Sequence, residues 1–256
     1  MAATTTPFAF VSDAAASGIR EREFRLQVAD RSVPGVLWSP ADARSAQAAR
    51  PLVLVGHGGD GHKRSDVVLD AVRSLVGAHG FVVAAIDGPV HGDRRDAPAS
   101  PDRVRDEFRA AWDRSDTITP MIADWRGVLD FLCRLPEVDA QSIAYYGLSM
   151  GTAYGLPLVA AEPRINRAVL GMWGLSRKHS ERLLADAARI RCPLLFLQQW
   201  HDQKFSREDQ ATLFDAFASE DRRMYIYPGD HSDPNATRLA DIVHFLCTGH
   251  DQEGRS

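Results

Sequence analysis

Ser149 stands between two glycines in "YYGLSMGTAYG", residues 145–155, directly after a run of strand-like residues. Gly147-Leu148-Ser149-Met150-Gly151 fits G-x-S-x-G, a pattern whose chemistry is nucleophilic when a strand precedes it and a helix follows. A serine hydroxyl attacks near neutral pH only if a base takes its proton and a third group orients that base. His231 in "YPGDHSDP" is the candidate base and Asp202 in "FLQQWHDQKF" the candidate orienting acid. Loop acids are common, so Asp230 and Asp233 are the alternatives. A tetrahedral intermediate also needs amide donors for its oxyanion. The loop "GHGGDGHK" offers Gly59, or Asp60 one residue later, to pair with the amide of Met150.

The glycines around Ser149 have a steric reason. A sharp strand-to-helix turn holds the serine in a strained backbone conformation, and side chains two positions away would collide with neighbouring elements. The helix that follows points its N-terminal amides towards the serine, where negative charge develops. Other residues are open to two readings. Trp112, Trp173 and Trp200 are either walls of an apolar pocket or core packing, with Trp173 the favoured pocket residue and Asp60 and Trp200 further substrate-contact candidates. Arg94 and Arg95 either bind a substrate carboxylate or are solvated or packed in a lid. His57, His62 and His91 match no standard zinc spacing, a serine mechanism needs no metal, and His57 is read as a loop-supporting hydrogen bonder.

The elements that must position these residues alternate along the chain. "REFRLQVA" and "VPGVLWSP" read as an antiparallel hairpin, and "ADARSAQAAR" as a polar surface connection. Continuous apolar runs then end in loops: "PLVLVGHGG", "FVVAAID", "SIAYYGL", "RAVLGMWG", "PLLFLQQW" and "RRMYIYPG". Helical patterns lie between them, from about Asp66 to His79, in "TITPMIADWRGVLDFLCRLP" with Thr119 as N-cap, after Ser149, and in "SERLLADAARI", "SREDQATLFDAFA" and "ATRLADIVHFLCTG". Strands alternating with helices imply a mostly parallel sheet, of about eight strands here, covered on both faces. In such a sheet ligands bind at the carboxyl ends of strands. His57, Asp87, Ser149, Trp173, Asp202 and His231 all fall there.

Composition bounds the rest. The 256 residues suit one domain, expected over 21–250 after a poorly ordered segment 1–20, with 88–118 and 174–191 as possible lid elements. A net charge of -4, with 27 Arg and 3 Lys scattered along the chain, argues against nucleic acid as the main partner. No run reaches the ~18 apolar residues of a membrane span. The N-terminus lacks the basic start and apolar stretch of a secretory signal, so the expected compartment is cytoplasmic. Cys133, Cys192 and Cys247 are too few and too far apart for a disulfide framework and read as buried free thiols.

On "GHGGDG", "GLSMG", "HDQKF" and "PGDHSDP", the chain resembles α/β-hydrolase fold serine hydrolases, in the style of dienelactone hydrolase-like and prolyl-oligopeptidase-like esterases. The chain order Ser, Asp, His is the order of that fold. Dienelactone hydrolases proper use a cysteine nucleophile where this chain has Ser149, so the resemblance transfers the fold and not that substrate. Gln199 stands where the family often has glycine, three residues before the acid. The resemblance implies cleavage of small to medium carboxylic esters through an acyl-enzyme, without cofactor or metal, by a monomer or homodimer. Thioesterases, amidases or peptidases and carbon–carbon bond hydrolases use the same residues. A non-catalytic binding protein on this fold would normally have lost part of the set.

Overall fold

Three N-terminal strands pair antiparallel: β1 (Phe8–Ala16), β2 (Ile19–Val28) and β3 (Arg31–Pro40). They belong to a computed structural model that describes residues 8–41 and 49–248. β4 (Arg50–Gly56), β5 (Val82–Ile86), β6 (Val138–Gly147), β7 (Ile165–Gly171), β8 (Leu194–Gln199) and β9 (Arg222–Tyr227) are parallel to one another. One nine-stranded sheet results, in the order β1-β2-β3-β5-β4-β6-β7-β8-β9. β3 joins the parallel part by an antiparallel edge to β5. The expected hairpin is β2–β3.

The ninth strand is β1, where the sequence suggests a poorly ordered segment. Ser17 and Gly18 both have positive φ, 51° and 79°, which is the backbone of a tight two-residue hairpin turn. That turn pairs Ala16 with Ile19 and carries β1 back along β2 as far as Phe8, which packs on Phe24 and Phe131. Residues 1–7 of that segment, and most of the connection "ADARSAQAAR", lie outside the described residues.

Side-chain alternation divides the interior into two layers. Leu52, Leu54, Val82, Ala84 and Ile86 face one cluster, completed by α3 (Ile118–Leu132) and α4 (Met150–Ala161) among others. Val53, Val55, Val83 and Ala85 face the opposite cluster, built with α1 (Asp66–Val72) and α7 (Ala236–Cys247). α1 runs on into a π-turn at Arg73–Ala78, so the helical pattern read to His79 is two pieces. α4 is apolar all round and buried from Met150 to Val159, as a helix in the middle of a core must be.

Each of the two segments 88–118 and 174–191 contains a helix. α2 (Pro101–Arg114) lies inside the 88–118 segment, with Ser100 as N-cap accepting from the Arg103 amide at 3.4 Å. α5 (Glu181–Ala187) lies inside 174–191, and the indole of Trp112 donates to the Lys178 carbonyl at 2.6 Å, tying the two segments together. α6 (Arg207–Asp215) follows β8 and is capped by Ser206. The N-cap expected at Thr119 is displaced. α3 starts at Ile118, and the Asp116 carboxylate accepts from the amides of Ile118 and Thr119, both at 3.0 Å. A carboxylate is the stronger acceptor for these unpaired N-terminal amides. The three cysteines are free and half-buried rather than fully buried.

Candidate active site

Ser149 sits at the junction of β6 and α4 with φ 56° and ψ -120°, in the left-handed half of backbone space that non-glycine residues avoid. Such strain costs of order 1–3 kcal/mol and persists only where neighbours enforce it. The neighbours are identifiable. The Ser149 amide donates to the Gly171 carbonyl at 3.0 Å. The Thr152 hydroxyl accepts from the Gly171 amide at 2.7 Å and lies 2.9 Å from the Gly147 carbonyl. A Cβ on Gly151 would stand 2.7 Å from the Gly56 carbonyl oxygen, and one on Gly147 would stand 3.0 Å from the backbone of Gly151. No side chain fits either place, which is the steric reason for both glycines of the motif.

Three side chains from three different loops meet here. His231 Nε2 lies 2.9 Å from Ser149 Oγ, and His231 Nδ1 lies 2.8 Å from Asp202 Oδ2. The imidazole is 5% exposed and the carboxylate 0%. Burial alone would raise the Asp202 pKa, but the His231 hydrogen bond and the amides of Lys204 and Phe205 outweigh it and hold the carboxyl below its ordinary value. An ionised carboxylate only accepts, so His231 Nδ1 carries the proton and Nε2 presents its lone pair to the serine hydroxyl. Neither Asp230 nor Asp233, the sequence alternatives, has a hydrogen bond to the imidazole among those of the described residues. Burial raises the Asp233 pKa instead.

A cavity of about 220 Å³ opens above Ser149. Phe108, Trp112, Leu148, Met172, Trp173 and Phe205 give it an apolar lining, and Asp60, Arg105, Arg109, Arg177 and Lys204 supply charge. Of the sequence candidates, Gly59, Asp60, Ser149, Trp173 and His231 all line it, as does Trp112. Met150 opens α4, so its amide is one of the first-turn donors with no intrahelical partner. A Cβ placed on Gly59 would be 3.9 Å from Met150 Cβ, so the two residues that carry the candidate oxyanion amides are neighbours.

Trp200 is not among the lining residues. It is 49% exposed, with the Arg207 guanidinium 4.1 Å over its ring, so the structure does not bring this candidate together with Ser149 and Trp173. Arg94 and Arg95 are both held in internal ion pairs. Arg94 pairs with buried Asp124 at 2.8 Å, and Arg95 pairs with Glu107 of α2 and donates to the Val90 carbonyl at 2.9 Å. Sequence reasoning missed Phe108, Arg105 and Arg109 of α2. Their signal was the spacing of Val104, Phe108 and Trp112, one helical stripe in an otherwise charged segment. Among the described residues no group of three or more His, Cys, Asp or Glu is arranged to hold a metal ion, and no helix is long and apolar enough to cross a membrane.

No family model and no curated protein matches this sequence. Solved structures do. A PEG-bound cold-adapted esterase from an Arctic intertidal metagenomic library is 33% identical, with a TM-score of 0.82, over 93% of this chain and 97% of that one. Acetyl xylan esterase from Paenibacillus sp. R4 is 18% identical with a TM-score of 0.72, over 94% of this chain and 88% of that one. A putative dienelactone hydrolase from Klebsiella pneumoniae is 18% identical with a TM-score of 0.71, over 89% and 98%. The latter two likenesses speak to the fold alone.

Proposed function

The chain belongs to the α/β-hydrolase-fold esterases, and we propose that it cleaves small carboxylic esters with Ser149 as nucleophile, His231 as base and Asp202 as orienting acid. Ser149 Oγ attacks the ester carbonyl as His231 Nε2 takes its proton. The Gly59 and Met150 amides receive the oxyanion of the tetrahedral intermediate. His231 then returns the proton to the leaving alcohol, and an acyl-enzyme remains on Ser149. Water enters, gives a proton to the same nitrogen, and releases the acid.

The observation that carries this reading is the continuous hydrogen-bonded line from Ser149 through His231 to Asp202, with the serine on a strained turn in the wall of a cavity. The cavity's size narrows the substrate. Clefts for drug-sized ligands run to ~300–1,000 Å³, so 220 Å³ suits a short acyl or aryl group better than a long lipid chain. The lining favours an apolar group near Ser149 and a polar one towards Arg105, Arg177 and Lys204.

Hydrolysis of p-nitrophenyl esters from acetate to decanoate, for wild type beside Ser149→Ala, tests the assignment. Wild type is expected to turn over with its optimum at short acyl chains. Removing a nucleophile of this kind costs roughly 10⁶-fold in kcat. A variant that matches wild type would place the nucleophile elsewhere.

A further inference from the structure

Two buried histidines, His57 at the start of the loop that follows β4 and His91 in the loop that follows β5, are not used by the proton-transfer line described above. His57 is 2% exposed and His91 0%, with their rings 4.9 Å apart. Their hydrogen bonds determine their tautomers. The Gly88 amide donates to His57 Nε2 at 2.9 Å, so that nitrogen is unprotonated. His57 Nδ1 therefore carries the proton, and it donates at 2.8 Å to the Gly58 carbonyl, which also accepts from the Gly61 amide at 3.1 Å. His91 Nε2 lies 3.1 Å from the Gly59 carbonyl, an acceptor only, so this nitrogen is the protonated one. His91 Nδ1 is buried with no hydrogen-bond partner among the described residues. Burial pushes the two imidazoles down to about 4 and about 3 respectively, so both are neutral at pH 7.

The carbonyls they grip belong to successive peptide units. In a trans peptide the C=O of one residue and the N–H of the next point in opposite directions. A donor fixed on the Gly58 carbonyl therefore turns the Gly59 amide away from the imidazoles. A donor fixed on the Gly59 carbonyl does the same for the Asp60 amide. Gly58, Gly59 and Asp60 line the cavity with Ser149, whereas His57 and His91 do not. The imidazoles stand on one side of the loop and the cavity on the other.

A second layer fixes the histidines. The Lys63 ammonium, 3% exposed, bridges Asp87 at 2.8 Å and Asp93 at 2.7 Å. Asp87 also accepts from the amides of Lys63 and Asp93, at 2.8 and 2.9 Å. The loop after β4 is thereby locked to the loop after β5, which carries His91. Gly92 is obligatory there: its φ is 50°, and a Cβ would fall 2.2 Å from the Asp87 carboxylate.

We propose that His57 and His91 are positioning residues for the oxyanion hole, each holding one glycine carbonyl so that the Gly59 and Asp60 amides face the oxygen of a carbonyl bound at Ser149. The inference rests on the serine-hydrolase reading and adds Asp60 as a donor beside Gly59 and Met150.

Amide side chains separate positioning from space filling, because an Asn Nδ2 overlays the imidazole Nδ1 and a Gln Nε2 overlays the imidazole Nε2. The experiment measures kcat, KM and thermal midpoint for His57→Asn, His57→Gln, His91→Asn and His91→Gln with p-nitrophenyl acetate. His91→Gln keeps the donor on the Gly59 carbonyl and is expected within about threefold of wild-type kcat. His91→Asn cannot reach it and should lose about 10²-fold in kcat, the usual cost of a missing oxyanion donor, with KM within about twofold. At position 57 the pattern reverses. His57→Asn keeps the donor to Gly58 and most of kcat, but leaves the Gly88 amide unpaired and lowers the thermal midpoint. His57→Gln retains an acceptor for Gly88 and loses kcat. Equal losses for Asn and Gln at each position, or kcat that follows the thermal midpoint across all four, would overturn the proposal. Failure of the serine reading looks different: Ser149→Ala would keep wild-type activity, whatever the histidine variants do.

Discussion

Replacing Asp202 by Asn tests the tautomer of His231 with almost no change of shape. Oδ1 of Asp202 accepts from the amides of Lys204, at 2.8 Å, and Phe205, at 3.0 Å, while Oδ2 accepts from His231 Nδ1 at 2.8 Å. In Asp202→Asn the two amides still require an acceptor, so the carboxamide oxygen stays with them and its NH₂ turns to His231. Nδ1 must then accept, its proton moves to Nε2, and Nε2 no longer presents a lone pair to Ser149. The opposite flip would restore the tautomer but set the NH₂ against two N–H donors. Losing two hydrogen bonds at about 1–1.5 kcal/mol each limits that rotamer to roughly 1%. A complete tautomer error costs about 10⁴-fold, or about 5.5 kcal/mol, so the loss in kcat should fall between roughly 10² and 10⁴. The assay is steady-state kcat and KM for p-nitrophenyl acetate from pH 6 to 9, with the thermal midpoint as a check on folding. A correctly folded variant within tenfold of wild-type kcat would refute the role given to Asp202.

Two further outcomes concern the buried charges behind the site. The folded pKa of His57 is about 4 against an ordinary 6.5, with burial the leading cause and the positive charge of Arg94 acting in the same direction, opposed by Asp87. The unfolded chain therefore binds more protons between those values, so stability is complete above pH about 6.5 and is lost as pH falls. His91, at about 3, works in the same sense, lowered chiefly by burial and also by His57 and Arg95 against Asp87. Urea unfolding should show at least about 2 kcal/mol less stability at pH 5 than at pH 7, and a flat profile would contradict neutral buried imidazoles. Lys63→Met leaves the fully buried Asp87 carboxylate without its ammonium partner, an uncompensated charge worth about 3–5 kcal/mol of destabilisation in the same measurement. A loss below about 1 kcal/mol would show that the lysine does not hold the two loops together.

The residues on the Ser149–His231–Asp202 line were legible because a parallel sheet buries its strands on both faces, leaving apolar runs whose last residues mark one edge of the molecule. Ser149, Asp202 and His231 each follow such a run. Trp200 follows one too, but strand side chains alternate: Gln199 points into the protein at 1% exposure and Trp200 turns out to solvent. The strand state of β1 is set by pairing with β2, and its exposed, alanine-rich residues carry no alternating pattern to announce it. α2 hid its inward stripe among charges. The fate of Arg94 and Arg95 depended on partners 30 and 12 residues away, which composition does not reveal. The register of the loop that carries Gly59 and Asp60 likewise depends on His91, which follows β5 and lies 3.1 Å from the Gly59 carbonyl, a contact 32 residues away that the sequence does not announce.

The identity of the nucleophile is tested most directly by intact-mass and peptide-level mass spectrometry after treatment with a fluorophosphonate, with esterase activity followed in parallel. One adduct per chain on the peptide containing Ser149, formed at the rate at which activity is lost, and no adduct on Ser149→Ala, is the predicted result. An adduct on another residue, or inactivation that leaves Ser149 unmodified, would contradict the account.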